Sequence, residues 1–270
     1  MYIQTKVFNS QSKIKNLISL ATTNKYSAKK LAKMFNCDRK TIHKVLNKNG
    51  IFLPNLGRFK KKVFCDINFF INLSPISAYW AGFIVADGCL FSKNKSLSFG
   101  LKKSDIIHLE KFKKAIKTNA KISHIKSNRS VHITICSQEL FSSLIKLGIT
   151  PMKSSRIKKI KIPHTLMPHF IRGVYDGDGS ISGNKVTHVQ FQIAGFKPLL
   201  QQFQDILIKK CKVSKVKIYL LSKNSKVSKL QYTGSQIFKI LDFVYKESIR
   251  QTRLDRKYKK YLNLKKRFGK

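Results

Sequence analysis

Acidic side chains are scarce in this chain: 12 Asp and Glu stand against 55 Lys and Arg in 270 residues, a formal net charge of +43. So one-sided a charge opposes compaction by self-repulsion, and the simplest compensation is a polyanionic partner. AT-rich codon usage would raise Lys, Asn, Ile and Phe, but it would not remove the acids. Long apolar runs are also missing. None approaches the ~18 residues that span a bilayer, and the opening MYIQTKVFNSQSK has no apolar signal core. The basic residues are spread along the chain instead of forming one amphipathic or juxtamembrane cluster, which argues against a membrane surface as the polyanion. A soluble, intracellular, non-secreted protein with a nucleic-acid partner is the expectation. Cysteine pairing is absent too: Cys37, Cys65, Cys89, Cys136 and Cys211 are odd in number and scattered, with no CxxC. Neither a disulfide framework nor a zinc site is indicated, and carboxylates are left as the candidate metal ligands. What is present, 42% hydrophobic and 11% aromatic residues, suffices for a large core plus a small appendage.

The first fifty residues read as short helices. In YSAKKLAKMF, Ser27 is placed to cap a helix whose Leu31, Ala32 and Phe35 share a face. After a turn at Asn36-Cys37, Asp38 caps a second helix with Ile42, Val45 and Leu46 inward and Arg39, Lys40, His43 and Lys44 outward. Asn49-Gly50 ends it. This has the pattern of a helix-turn-helix, with Asp38 to Asn47 as a recognition helix for the major groove. A plain helical hairpin with a solvated basic face has the same spacing. Residues 51–75 read as a basic linker.

The rest of the chain is duplicated. AYWAGFIVADGCL at 78–90 parallels FIRGVYDGDGSIS at 170–182. Each is followed by strand-like and helical stretches in the same order, predicting α-β-β-α-β-β-α twice. Strands are expected at 96–103, 121–135, 187–193 and 215–233, with a helix over 104–118. Within each heading helix small residues recur at four-residue spacing, Gly82 with Ala86 and Gly173 with Gly177, so the two backbones can pack closely. Each helix ends at Asp-Gly, with Gly88 and Gly179 suited to a left-handed residue just past a helix end. Packing the pair would set Asp87 beside Asp178. Adjacent carboxylates at the negative ends of helix dipoles call for a cation, and Mg²⁺, or another divalent cation such as Mn²⁺, satisfies that pattern.

WAGFIVADG (80–88) and IRGVYDGDG (171–179) both resemble the LAGLIDADG motif. Over about residues 76–262 the chain is similar to single-chain, two-motif LAGLIDADG homing endonucleases, here preceded by a helix-turn-helix. It departs from the motif at Trp80 and Ile171, at Arg172 in place of a small residue, and at Val85 in place of an acid. The resemblance implies an α+β fold of two pseudo-twofold-related αββαββα repeats with antiparallel DNA-binding sheets, plus a small all-α N-terminal domain. The corresponding boundaries are 1–53 for the helix-turn-helix, 54–75 for the linker, 76–152 and 169–270 for the repeats, the second with a basic tail, and 153–168 between them. It further implies metal-dependent cleavage of both strands of double-stranded DNA, leaving 3′ overhangs. Asp87 and Asp178 would be metal ligands, joined by the carbonyls of Ala86 and Gly177. Gln192, with Lys102 or Lys103 as its counterpart, would organise water, and Lys153 and Lys257 would stabilise charge on the phosphate. Alternation of side chains on the strands adds Gln190, Lys215, Lys217, Lys229 and Gln231 as DNA-facing. With both half-sites in one chain, a monomer is expected. Two other readings share these features: an RNA maturase acting on a group I intron, and a transcription regulator on a nuclease scaffold.

Overall fold

The computed structural model describes residues 7–23, 26–51, 53, 63–125, 129–151, 160–183, 185, 188–223 and 225–268. The chain divides into two compact units, Met1–Lys62 and Val63–Lys270.

In the first unit the N-caps read from the sequence form. Helix α1 (Gln11–Thr22) is capped by Ser10, α2 (Ala28–Met34) by Ser27, and α3 (Arg39–Lys48) by Asp38, whose Oδ1 accepts from the Thr41 amide at 2.9 Å. Leu17, Ala21, Leu31, Ala32, Ile42 and Leu46 form its core. Arg39, Lys40, His43 and Lys44 are exposed on one side of α3, the apolar residues having claimed the other.

The second unit has the α+β class implied by the sequence. Its first half runs α4 (Pro75–Asp87), β1 (Gly88–Phe91), β2 (Ser96–Lys102), α5 (Ile106–Ala115), β3 (Ile122–Ile125), β4 (Ser130–Cys136) and α6 (Gln138–Lys146). The second half repeats this as α7 (Met167–Asp178), β5 (Gly179–Ser182), β6 (Gln190–Gly195), α8 (Lys197–Cys211), β7 (Tyr219–Leu220), β8 (Ser228–Thr233) and α9 (Gln236–Tyr245). It then adds α10 (Asp255–Phe268). Each half forms an antiparallel four-stranded sheet, ordered β1-β2-β4-β3 and β5-β6-β8-β7. Alternation puts Phe99, Val131, Ile133, Phe191, Ile193, Leu230 and Tyr232 in one continuous core and leaves the opposite face of each sheet open except at buried Ser96.

Three local expectations are corrected. Gly88 and Gly179 are extended, with φ of −82° and −91°, and open β1 and β5. They are glycines for space, since a Cβ would lie 2.6 Å from the Ile84 carbonyl oxygen and 2.5 Å from that of Tyr175. The helix over 104–118 begins as a 3-10 turn (Lys103–Asp105) and is helical in the α sense only over 106–115. The last edge strand is two residues long because side-chain amides take the preceding backbone: Gln204 donates to the Val216 carbonyl at 2.8 Å, and Gln236 accepts from the Ser214 amide at 3.2 Å. Lys215 and Lys217 therefore precede β7 instead of lying in it.

The two heading helices pack backbone to backbone. A Cβ on Gly82 would sit 2.1 Å from the Phe170 carbonyl oxygen, and one on Gly173 would sit 2.0 Å from that of Tyr79. Neither neighbour is a side chain that could swing aside. Gly82→Ala and Gly173→Ala should each lower stability by about 1–3 kcal/mol by overpacking, despite a helix-propensity gain of about 1 kcal/mol. Gly195→Ala, where the nearest atom is the Leu200 Cδ2 at 3.4 Å, should be close to neutral in the same thermal denaturation. Alanine at Gly82 or Gly173 with unchanged melting would refute the close-packing account.

Candidate active site

The glycine contacts that join α4 to α7 also bring their C-terminal ends together. A Cβ on Gly177 would meet the Ala86 Cβ at 2.2 Å and the Asp87 Oδ2 at 3.0 Å. Asp87 and Asp178 are the last residues of the two helices, and both are exposed, next to half-buried Ala86 and Gly177. The structure thus brings together four of the oxygen donors named from the sequence. Among the described residues no group of three or more His, Cys, Asp or Glu is assembled. A cation here would have two carboxylates, main-chain carbonyls and solvent as donors, a hard set that suits Mg²⁺ and leaves positions open for phosphate oxygens.

Lys257, at the start of α10, is buried against this point. Its ammonium donates to the carbonyls of Tyr175 at 2.7 Å, Gly177 at 3.3 Å and Gly179 at 2.5 Å. Burial pushes its pKa down to about 8, while Asp176, Asp87 and Asp178 pull it up. A cation at the C-terminus of α7 offsets the carbonyl end of the helix and holds Gly177 in place. Lys102 is on the other side: at the end of β2 it lines, with Asp87, Asp105, His132, Gly177 and Arg256, a cavity of about 400 Å³. Lys153 lies outside the described residues.

The ladders correct one pairing. Gly88 pairs with Phe99 and Gly179 with Ile193, so the position equivalent to Gln192 is Ser98, not Lys102 or Lys103. Gln192 Nε2 donates to the Ser180 hydroxyl at 2.7 Å. Gln190, Gln192, Lys229 and Gln231 share the open face of the second sheet. Lys217, Tyr219, Lys229 and Gln231 line a further cavity of about 400 Å³. Lys215 is exposed. Arg39, Lys40, His43 and Lys44 belong to the first unit and are described with it.

A buried polar network behind the aspartates is the part that sequence reasoning missed. Asp176 accepts from Tyr79 and Tyr245 hydroxyls, each at 2.9 Å, and from the Leu254 amide at 2.8 Å. Burial raises its pKa; Lys257 and these three donors oppose that rise. Arg172, one turn earlier and 1% exposed, donates to the carbonyls of Thr252 and Val244 and meets His169 Nδ1 at 3.0 Å. Ionic residues four apart on an otherwise apolar helix were the available signal, since a buried charge must be matched by partners. The same segment reaches the first half: Arg256 pairs with Asp105 at 3.1 Å and Lys111 with Asp255 at 3.0 Å.

Neither a sequence-family profile nor a curated protein matches the chain significantly. Solved structures do. Meganuclease I-SmaMI bound to uncleaveable DNA is 19% identical, with 72% of this chain and 90% of that one covered at a TM-score of 0.48. A variant of the homing endonuclease I-DmoI is 17% identical, with 67% and 98% covered at 0.47. The N-terminal LAGLIDADG domain of DUF199/WhiA is 21% identical, with 68% and 90% covered at 0.45. The last of these names carries the motif that the two helices resemble. Because the identities are low, any function must be argued from the chain's own residues.

His108 supplies a pH test of the network. Tyr79 spends its proton on Asp176, so His108 Nε2 must donate to the Tyr79 oxygen, 2.9 Å away, and His108 Nδ1 has no partner among the described residues. Protonating Nδ1 would bury an unsatisfied donor. The pKa accordingly falls from 6.5 to about 3, first through burial and then through Lys111. For a base with a depressed folded pKa the stabilisation is complete above 6.5 and is lost as pH falls toward 3. The loss reaches about 1.4 kcal/mol per pH unit. Denaturation midpoints should fall between about pH 7 and about pH 5, and less steeply in His108→Phe. Equal slopes would exclude the buried neutral imidazole.

Proposed function

We propose that this chain is a metal-dependent, site-specific endonuclease that cleaves both strands of double-stranded DNA. The observation carrying this reading is the seating of the Asp87 carboxylate against Gly177 at the end of the partner motif helix. Asp87 and Asp178 come from two related repeats, both act electrostatically on Lys257, and such a pair suits the cleavage of two antiparallel strands. Asp87, Asp178 and the carbonyls of Ala86 and Gly177 are the residues that would hold Mg²⁺ or Mn²⁺. When bound, such an ion supplies activation of water and stabilisation of the leaving oxygen.

The chain's own residues do the rest. Lys257 fixes the α7 terminus by its three carbonyl contacts. Lys102, in the cavity beside Asp87, is placed to attract a phosphate into it. The open sheet faces, with Gln190, Gln192, Lys229 and Gln231 on the second, carry donors and acceptors of the kind that read base edges in the major groove. The overall charge of +43 supplies the sequence-independent attraction to phosphates. Arg39, Lys40, His43 and Lys44 on α3 would extend the contacted DNA as a helix-turn-helix, raising affinity through a linked second site. The 3′ polarity of the overhangs and the monomeric state are part of the same proposal.

Asp87→Asn and Asp178→Asn should each abolish double-strand cleavage of a randomised duplex library in Mg²⁺ while leaving retention of the duplex on a filter largely intact. Cleavage that survives both substitutions would sink the assignment. Duplex affinity should also fall steeply with salt, roughly 10³-fold or more between low and physiological ionic strength if six or more phosphates are contacted. A shallow dependence would rule out the extended basic interface.

A further inference from the structure

The two sheets are superimposable by register, so the same position can be compared in each half. With Gly88↔Phe99 matched to Gly179↔Ile193, Ser96, Ser98 and Thr134 of the first sheet correspond to Gln190, Gln192 and Gln231 of the second. Five of the six lie on the open faces of their sheets, and the sixth, Ser96, is buried. In one sheet three glutamines form a contiguous patch, Gln192 being directly opposite Gln231 on the neighbouring strand. In the other, the three positions carry short hydroxyls.

Their commitments differ as well. Gln192 is braced by the Ser180 hydroxyl at 2.7 Å, which fixes its amide at the surface. Ser98 and Thr134 instead hydrogen-bond to each other at 2.9 Å, and Ser96 is buried, 1% exposed. A glutamine amide presents a donor and an acceptor in one plane and matches the paired N6 and N7 groups of adenine, whereas a serine or threonine hydroxyl accepts or donates to any base.

Resting on the reading of the protein as a duplex-DNA endonuclease, we infer that the two halves of its target are read with unequal stringency. The half under the second sheet is specified through adenines met by Gln190, Gln192 and Gln231. The equivalent positions under the first sheet tolerate substitution. The target is therefore asymmetric in information content, although the protein is nearly symmetric in backbone.

The test is selection of a randomised duplex DNA library on the full chain carrying Asp178→Asn, followed by the same selection with Gln190→Ala or Gln231→Ala added. The recovered sites should show adenine preferences of roughly 10- to 100-fold, the range of a good bidentate contact, confined to one half. Each glutamine variant should flatten one or two of those positions and leave the other half unchanged. Equal stringency in both halves overturns the inference while leaving the endonuclease reading standing. So does an unequal pattern that neither variant alters. Recovery of no preferred duplex by the folded protein overturns that reading, and this inference with it.

Discussion

Everything in the larger unit depends on how closely two helices can approach. With hydrogen alone at Gly82 and Gly173, the backbones of α4 and α7 touch, and carbonyl oxygens of one helix occupy the space a side chain on the other would need, while at Gly177 that space is taken by the Ala86 Cβ and the Asp87 carboxylate. Backbone contacts do not repack, so the separation of the helix ends is set by covalent geometry instead of by adaptable rotamers. Asp87 and Asp178 inherit that fixed separation. Because each sheet starts at the residue after its aspartate, with Gly88 opening β1 and Gly179 opening β5, the open faces are fixed relative to the carboxylates as well.

The pseudo-symmetry is broken where the interior is polar. Val85 is buried among apolar groups in α4, whereas its equivalent in α7 is Asp176, held by two tyrosine hydroxyls and a backbone amide. Ala81 faces Arg172 in the same comparison. An unpaired charge inside the protein would cost several kcal/mol, and here each ionic group is surrounded by partners from α4, α9 and the segment before α10. Tyr79 is the link between halves, since its hydroxyl lies between His108 of the first repeat and Asp176 of the second. The second repeat thus carries the machinery that locks the pair, and the first is the more nearly hydrophobic member.

The two motif helices, the caps at Ser27 and Asp38 and the duplicated element order were legible because each is a local pattern repeated or punctuated by residues with one physical use. Register was not legible. Four residues join β1 to β2 but seven join β5 to β6. Equal counting from the aspartates therefore lands on Leu101, three residues past Ser98 and next to Lys102, whereas the ladders match Ser98 to Gln192. Sequence alternation marks which residues share a face, but turn length decides which of them are neighbours. The extended conformation of Gly88 and Gly179 was hidden for a related reason: a glycine after a helix has two uses, positive φ or lack of a Cβ, and only the position of the previous turn tells them apart. The short β7 reflects capture of backbone groups by Gln204 and Gln236, two side chains distant in sequence.

The segment from Arg250 to Lys257 touches both repeats: Thr252, Leu254 and Lys257 hold α7, while Asp255 and Arg256 hold Lys111 and Asp105. These are contacts between residues as much as 151 positions apart. On a ribosome they form after nearly all of the preceding chain has emerged, and loop closure over such spans is slow. The helix pair can associate earlier, but its polar centre stays unsatisfied until this stretch arrives. Maturation of the carboxylate pair is thereby coupled to the emergence of this stretch, and fragments ending before residue 250 are left with a charged arginine and aspartate that have lost several of their partners.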